Sequence, residues 1–154
     1  MTTAMAFLHH VAAFALVAAI AVELVLLRAP IDAERARKLA GIDGVVGLSA
    51  GVVLVVGMLR VVYFEKGTAF YFSNAAFIAK VVLFGVIALL SLHPTLKFMT
   101  WRRAAARGEA FDVRPETVRT LRTLLHFELA GVVLLILCAA MMAVSYTHLR
   151  AHET

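Results

Sequence analysis

One cysteine, Cys138, stands in a chain of 154 residues, which excludes an internal disulfide framework and any cysteine-cluster metal site. Charge is scarce as well. Asp, Glu, Lys and Arg make up 16% of the residues, against ~25% in an ordinary soluble domain. There is no internal repeat and no glycine-rich phosphate loop. What fills the chain instead is apolar: 62% of residues are hydrophobic, and the mean hydropathy is +0.90. Fifteen Lys and Arg against ten Asp and Glu leave a net charge of +5. In so apolar a chain that excess describes the two sides of a membrane, and no nucleic-acid partner is expected from it.

The last eleven residues, Val144 to Thr154, resemble a translated sequencing adapter: their reverse translation reads as a transposase mosaic end followed by a primer site. Segments of that origin are set aside before a fold is read. The resemblance implies that the natural chain continues past Ala143 with other residues, and it removes His148 and His152 from consideration. Arg150 and Glu153 cancel, so the net charge stays at +5.

Four apolar runs remain within 1–143, at about 5–27, 44–62, 75–96 and 121–143. Each is long enough for a hydrocarbon core of ~30 Å at 1.5 Å per residue. The first has no Lys or Arg before it and no small-residue cleavage site after it, so it reads as a retained span rather than a signal peptide. The expected fold is all-α, an integral membrane four-helix bundle. Its loops are asymmetric. Arg28, Arg35, Arg37 and Lys38 follow the first span, and Lys97, Arg102, Arg103, Arg107, Arg114, Arg119 and Arg122 crowd the third connection. The positive-inside rule places both loops in the cytoplasm and both termini outside, with anionic lipid headgroups as partners of the basic loops.

Finer features follow. Tyr63, Phe64, Phe70, Tyr71 and Phe72 suit an outer aromatic belt, with Trp101 at the inner edge. Ser73-Asn74 can cap the third span, and Pro115 suits the first turn of a helix leading into the fourth. Residues 31–40 read as a short, charged, surface-lying helix. Gly47 and Gly51, with Gly44 and Gly57 nearby, form small-residue spacings at which another helix can approach.

Ionisable side chains inside a span are costly and usually face the bundle interior. Running the four spans through the bilayer gives two polar layers. The outer one holds His9, His10, Arg60 and Lys80; the inner one holds Glu23, Asp43, His93, His126 and Glu128. His10 and His126 differ in depth by ~20 Å, too far for one haem to be clamped between them. His9 and Glu23, fourteen positions apart, return to nearly one helical face while His10 points elsewhere, but the sequence leaves open which histidine faces the bundle. Simpler readings stand beside each of these. Arg60 can snorkel, Asp43 and His93 can be interfacial, Glu23 and Glu128 can pair with Arg28 and Arg122, and the stripe of Arg119, Arg122 and His126 can reach the inner headgroups. Cys138, Met141 and Met142 add soft sulfur ligands in the outer half which, beside His9 and His10, would suit Cu(I). The same three are also ordinary apolar fillers.

Leu8 to Phe14, Glu23 to Arg28, Phe70 to Lys80 and Pro94 to Phe98 together resemble a bacterial family of small four-span membrane proteins catalogued as a domain of unknown function. That resemblance implies a multi-pass protein of the bacterial inner membrane. More distantly, Leu8-His9-His10 and Ala79-Lys80 are similar to motifs of the HemJ-type protoporphyrinogen oxidases, four-span proteins that bind haem b, and the CopD-like copper-resistance domains are a comparable relative. The HemJ resemblance implies haem b or a porphyrin at an outer-leaflet site of His9, His10, Lys80 and Arg60. The alternatives are copper handling, transport of protons or a small solute along His9, Lys80 and Glu23, and a noncatalytic accessory subunit. Whether the chain is an enzyme, and how many copies assemble, stay open at this stage.

Overall fold

The computed structural model describes residues 2–59, 75–111 and 113–151. They form four α-helices: α1 (Thr2–Leu26), α2 (Ala33–Leu59), α3 (Ala75–Arg107) and α4 (Pro115–Ala151). All four are long and apolar enough to cross a membrane. Each packs against its neighbours in sequence and α4 closes back on α1, while the diagonal pairs do not touch among the described residues. The result is an up-and-down four-helix membrane bundle.

Each helix buries one stripe at helical spacing. On α1 it is Ala12, Leu16, Ala19, Ile20, Glu23 and Leu24, and on α2 Ala36, Leu39, Ala40, Asp43, Val46 and Ser49. On α3 it is Ile87, Pro94, Phe98 and Trp101, and on α4 Leu121, Leu125, Glu128 and Val132. Recurrence every three or four residues is what brings one helix face to a common axis. The opposite faces stay apolar: Phe14 is 73% exposed and Leu48 71%, which in this setting means contact with lipid.

The helices outrun the apolar runs. Residues 31–40 are not a separate surface helix; α2 starts at Ala33 and runs unbroken into the span. Asp32 caps it, accepting a 2.7 Å hydrogen bond from the Arg35 N–H. The charged side chains Glu34, Arg37 and Lys38 sit on its exposed face, with a Glu34–Lys38 ion pair one turn apart, so they cost the helix nothing. Likewise α3 passes through Pro94 to Arg107, and α4 begins at Pro115, where proline's missing N–H is no loss. Gly108 ends α3 in the left-handed region, at φ 67°, a conformation glycine adopts without strain.

Of the glycines singled out in the sequence only Gly57 meets another helix of the chain, and Gly131 does so as well. A methyl on Gly44, Gly47 or Gly51 would meet nothing within 4 Å, because these glycines face outward. At Gly131 a Cβ would come within 2.8 Å of the Cδ1 and Cγ1 atoms of Ile87, so α3 and α4 interlock there. At Gly57 it would stand 3.4 Å from the His9 ring. Trp101, expected at an interface, is buried at 4% exposure against Phe98, with ring centroids 6.0 Å apart. The outer connection, with Arg60, Tyr63, Phe64, Phe70 to Phe72 and Ser73-Asn74, lies outside the described residues.

Candidate functional site

The buried stripes of all four helices carry a polar group at one level. Glu23 comes from α1, Asp43 from α2 and Glu128 from α4; α3 supplies Thr95, beside the stripe residue Pro94. Glu23 and Glu128 are each 1% exposed and Asp43 is 7% exposed. The three carboxyls are close enough to act on one another electrostatically: Glu23 feels both Asp43 and Glu128, and Glu128 feels Asp43 across the bundle. The Thr95 hydroxyl donates to Asp43 Oδ1 at 2.8 Å. The Oε1 atoms of Glu23 and Glu128 are buried without a hydrogen-bond partner.

Around this level much of the exterior is apolar, with the exposed His93 and His126 as exceptions. Val22 and Val25 flank Glu23, Leu96 follows Thr95 and Phe127 precedes Glu128; all four side chains are exposed. The polarity is that of a soluble protein turned inside out, polar at the axis and hydrocarbon outside. Toward the basic loops, Leu39, Phe98, Trp101, Leu121 and Leu125 form an apolar floor beneath the carboxyls. On the other side, Leu16, Ile20, Val46, Ile87 and Val132 close over them.

Two residues expected in the inner layer, His93 and His126, face away from the carboxyls. His126 is exposed on the far side of α4, its Nδ1 donating to the Arg122 carbonyl at 2.5 Å, and His93 is exposed on α3. Neither Glu23 nor Glu128 pairs with Arg28 or Arg122: among the described residues neither glutamate makes an ion pair. Asp43 is buried rather than interfacial. Thr95 is the residue sequence reasoning missed, since it sits one position off the α3 stripe and gives no signal of its own.

In the outer layer the bundle-facing histidine is His9, half-buried over Gly57. His10 is exposed, its Nδ1 donating to the Ala6 carbonyl at 2.6 Å, with its ring edge-on to His9 at 6.1 Å between centroids. Lys80 is half-buried on α3, diagonal to α1. Cys138 is a half-buried free thiol, and the side chains of Met141 and Met142 lie outside the described residues. Among the described residues no three His, Cys, Asp or Glu side chains converge closely enough to hold a metal ion.

Four membrane-length helices closing on a buried carboxyl cluster define a small polytopic membrane protein with a polar core. The chain belongs to the family described as predicted membrane protein (DUF2214), whose model matches residues 1–146. No curated protein and no solved structure matches it, so neither the HemJ-type nor the CopD-like resemblance has a match behind it.

Proposed function

We propose that this protein binds and relays protons within the membrane, with Glu23, Asp43 and Glu128 as the carriers. The observation that supports the reading is a pair of fully buried carboxyls whose Oε1 atoms lack partners, facing a third carboxyl, with no cation among the described residues paired to any of them. Three bare negative charges in an apolar interior are prohibitively costly, so positive charge must accompany them. A proton meets that need with the donors at hand, whereas a metal ion requires a tighter convergence than these side chains make. Intramembrane carboxyls of this kind mark proton paths. Thr95 would orient Asp43, and the apolar layers on either side would keep water from leaking through.

By the positive-inside rule the basic connections face the cytoplasm and both termini the outside, in the inner membrane of a bacterium. The segment from Val144 onward takes no part in this reading. The haem or porphyrin reading would rest on His9, His10, Lys80 and Arg60, and the copper reading on His9 and His10 with Cys138, Met141 and Met142. Arg60 and the side chains of Met141 and Met142 lie outside the described residues, whereas every member of the carboxyl cluster lies within them.

The test is proton flux into vesicles carrying a trapped pH-sensitive dye, driven by a potassium gradient with valinomycin. Wild-type protein is expected to acidify the lumen, and the Glu23→Gln/Glu128→Gln variant, checked for helicity and elution, to do so no faster than protein-free vesicles. Identical traces for all three would overturn the reading.

A further inference from the structure

On the lipid-facing side of α4, Arg119, Arg122, Thr123 and His126 line a shallow cleft of about 260 Å³. Their spacing of three, four and seven residues sets all four on one face of the helix. Two of them are held from behind: Thr123 Oγ1 donates to the Arg119 carbonyl at 3.1 Å, and His126 Nδ1 to the Arg122 carbonyl. With Nδ1 so engaged, Nε2 is the ring nitrogen left for a ligand. Both guanidiniums are exposed, and among the described residues neither pairs with a carboxylate. Glu116, one turn before Arg119 on the same helix, makes no ion pair with it.

The cleft straddles a chemical boundary. Below it the surface is polar, with Glu116 and Thr120 exposed on α4 and Arg114 exposed just before it; above it come Phe127 at 62% exposure, Val133 and Leu134. A helix crossing a bilayer changes from polar to apolar at the depth of the lipid phosphates. A ligand seated there must be anionic at one end and apolar at the other. A phospholipid phosphate with its acyl chains running along Phe127 and Val133 meets both demands, whereas a free phosphate meets only the first.

We propose that this cleft is a binding site for the phosphate of an anionic phospholipid, gripped by Arg119 and Arg122 and bordered by Thr123 and His126. Paired guanidiniums suit phosphate oxygens because each offers a planar fork of donors. The site is independent of the proton reading, since it lies on the opposite face of α4 from Glu128.

The test is native mass spectrometry of the full chain released from detergent after incubation with phosphatidylglycerol or phosphatidylcholine. Wild-type protein is expected to retain phosphatidylglycerol in preference. Arg119→Gln/Arg122→Gln should lower that retention roughly tenfold or more, as expected for two cations near a membrane surface. Arg119→Lys/Arg122→Lys should recover part of it. The control Arg102→Gln/Arg103→Gln, on α3, should retain the lipid as wild type does. Equal retention of the two lipids, or a loss no greater in the α4 variant than in the α3 control, overturns the proposal. So does displacement of the lipid by inorganic phosphate at matched concentration, which would make the ligand a solute anion. Thermal unfolding of each variant separates loss of the site from loss of the fold.

Discussion

Thr95 of α3 donates its hydroxyl hydrogen to Asp43 of the adjacent α2, at 2.8 Å, one residue past a proline that removes a hydrogen bond from α3 itself. Pro94 has no N–H for the Leu90 carbonyl, so α3 is tied to its neighbour where its own ladder is weakest.

Replacing Thr95 by Val keeps its shape and removes that donor. The expected cost is about 1 kcal/mol, the scale of hydrogen bonds between membrane helices. Asp43→Asn preserves an acceptor and should cost less. A double-mutant cycle of Thr95→Val with Asp43→Ala, which removes the acceptor, read by denaturant unfolding, checks the coupling; additive effects would show that the bond does not matter to stability.

Gly131→Ala drives a methyl into Ile87 and should destabilise the bundle by roughly 1–3 kcal/mol. Trimming Ile87 to Ala in the same chain should recover much of that loss, because the two sites touch. Gly51→Ala faces open space and should be neutral or slightly stabilising, since alanine is the better helix former. Melting temperatures of the three variants against wild type decide it.

Glu23→Gln and Glu128→Gln remove charge from buried positions without changing size. Each should leave the melting temperature unchanged or raise it while lowering proton flux, the pattern of groups kept for function at some expense to stability. A variant that lost flux only by unfolding would contradict this.

Asp32 carries a pH signature outside the membrane. The Arg35 N–H that it accepts holds its carboxyl below the usual aspartate range. A depressed folded value means that the cap's contribution is complete above the unfolded pKa of ~4 and is lost as pH falls through the folded value. Melting curves should therefore show an acid-side drop in wild type that is smaller in Asp32→Asn, which can still cap but does not titrate.

An absorbance spectrum of the purified protein, oxidised and then reduced with dithionite, bears on the outer layer. His9 is the histidine that faces the bundle, so a Soret band that vanished in His9→Ala would establish a haem site there, whereas the proton reading expects a colourless protein.

The four spans and the inner carboxyls were legible because hydropathy and helical depth are read directly from spacing. Glu23, Asp43 and Glu128 each fall on a stripe that recurs every three or four residues, so their common level could be counted from the chain. The facing of His126 could not. It lies two positions before Glu128, and about 200° around a helix separates a core residue from a lipid-facing one. Nor could the facing of Gly44, Gly47 and Gly51, which carry the small-residue pattern on a side of α2 turned away from the other helices of this chain. The Gly131–Ile87 contact joins two helices whose relative rotation no single run of residues encodes. The charges at 33–40 looked like a break, yet they occupy only the outer face of a helix whose inner face stays apolar through Ala36, Leu39 and Ala40.

The overrun of α3 carries a mechanical consequence. Thirty-three residues at 1.5 Å each make a rod of about 50 Å, against a hydrocarbon slab of ~30 Å. The surplus at the basic end packs on the start of α4 through Phe98, Trp101, Leu121 and Leu125. The Gly108 turn is thus carried on two packed helices and keeps a fixed position relative to the bundle.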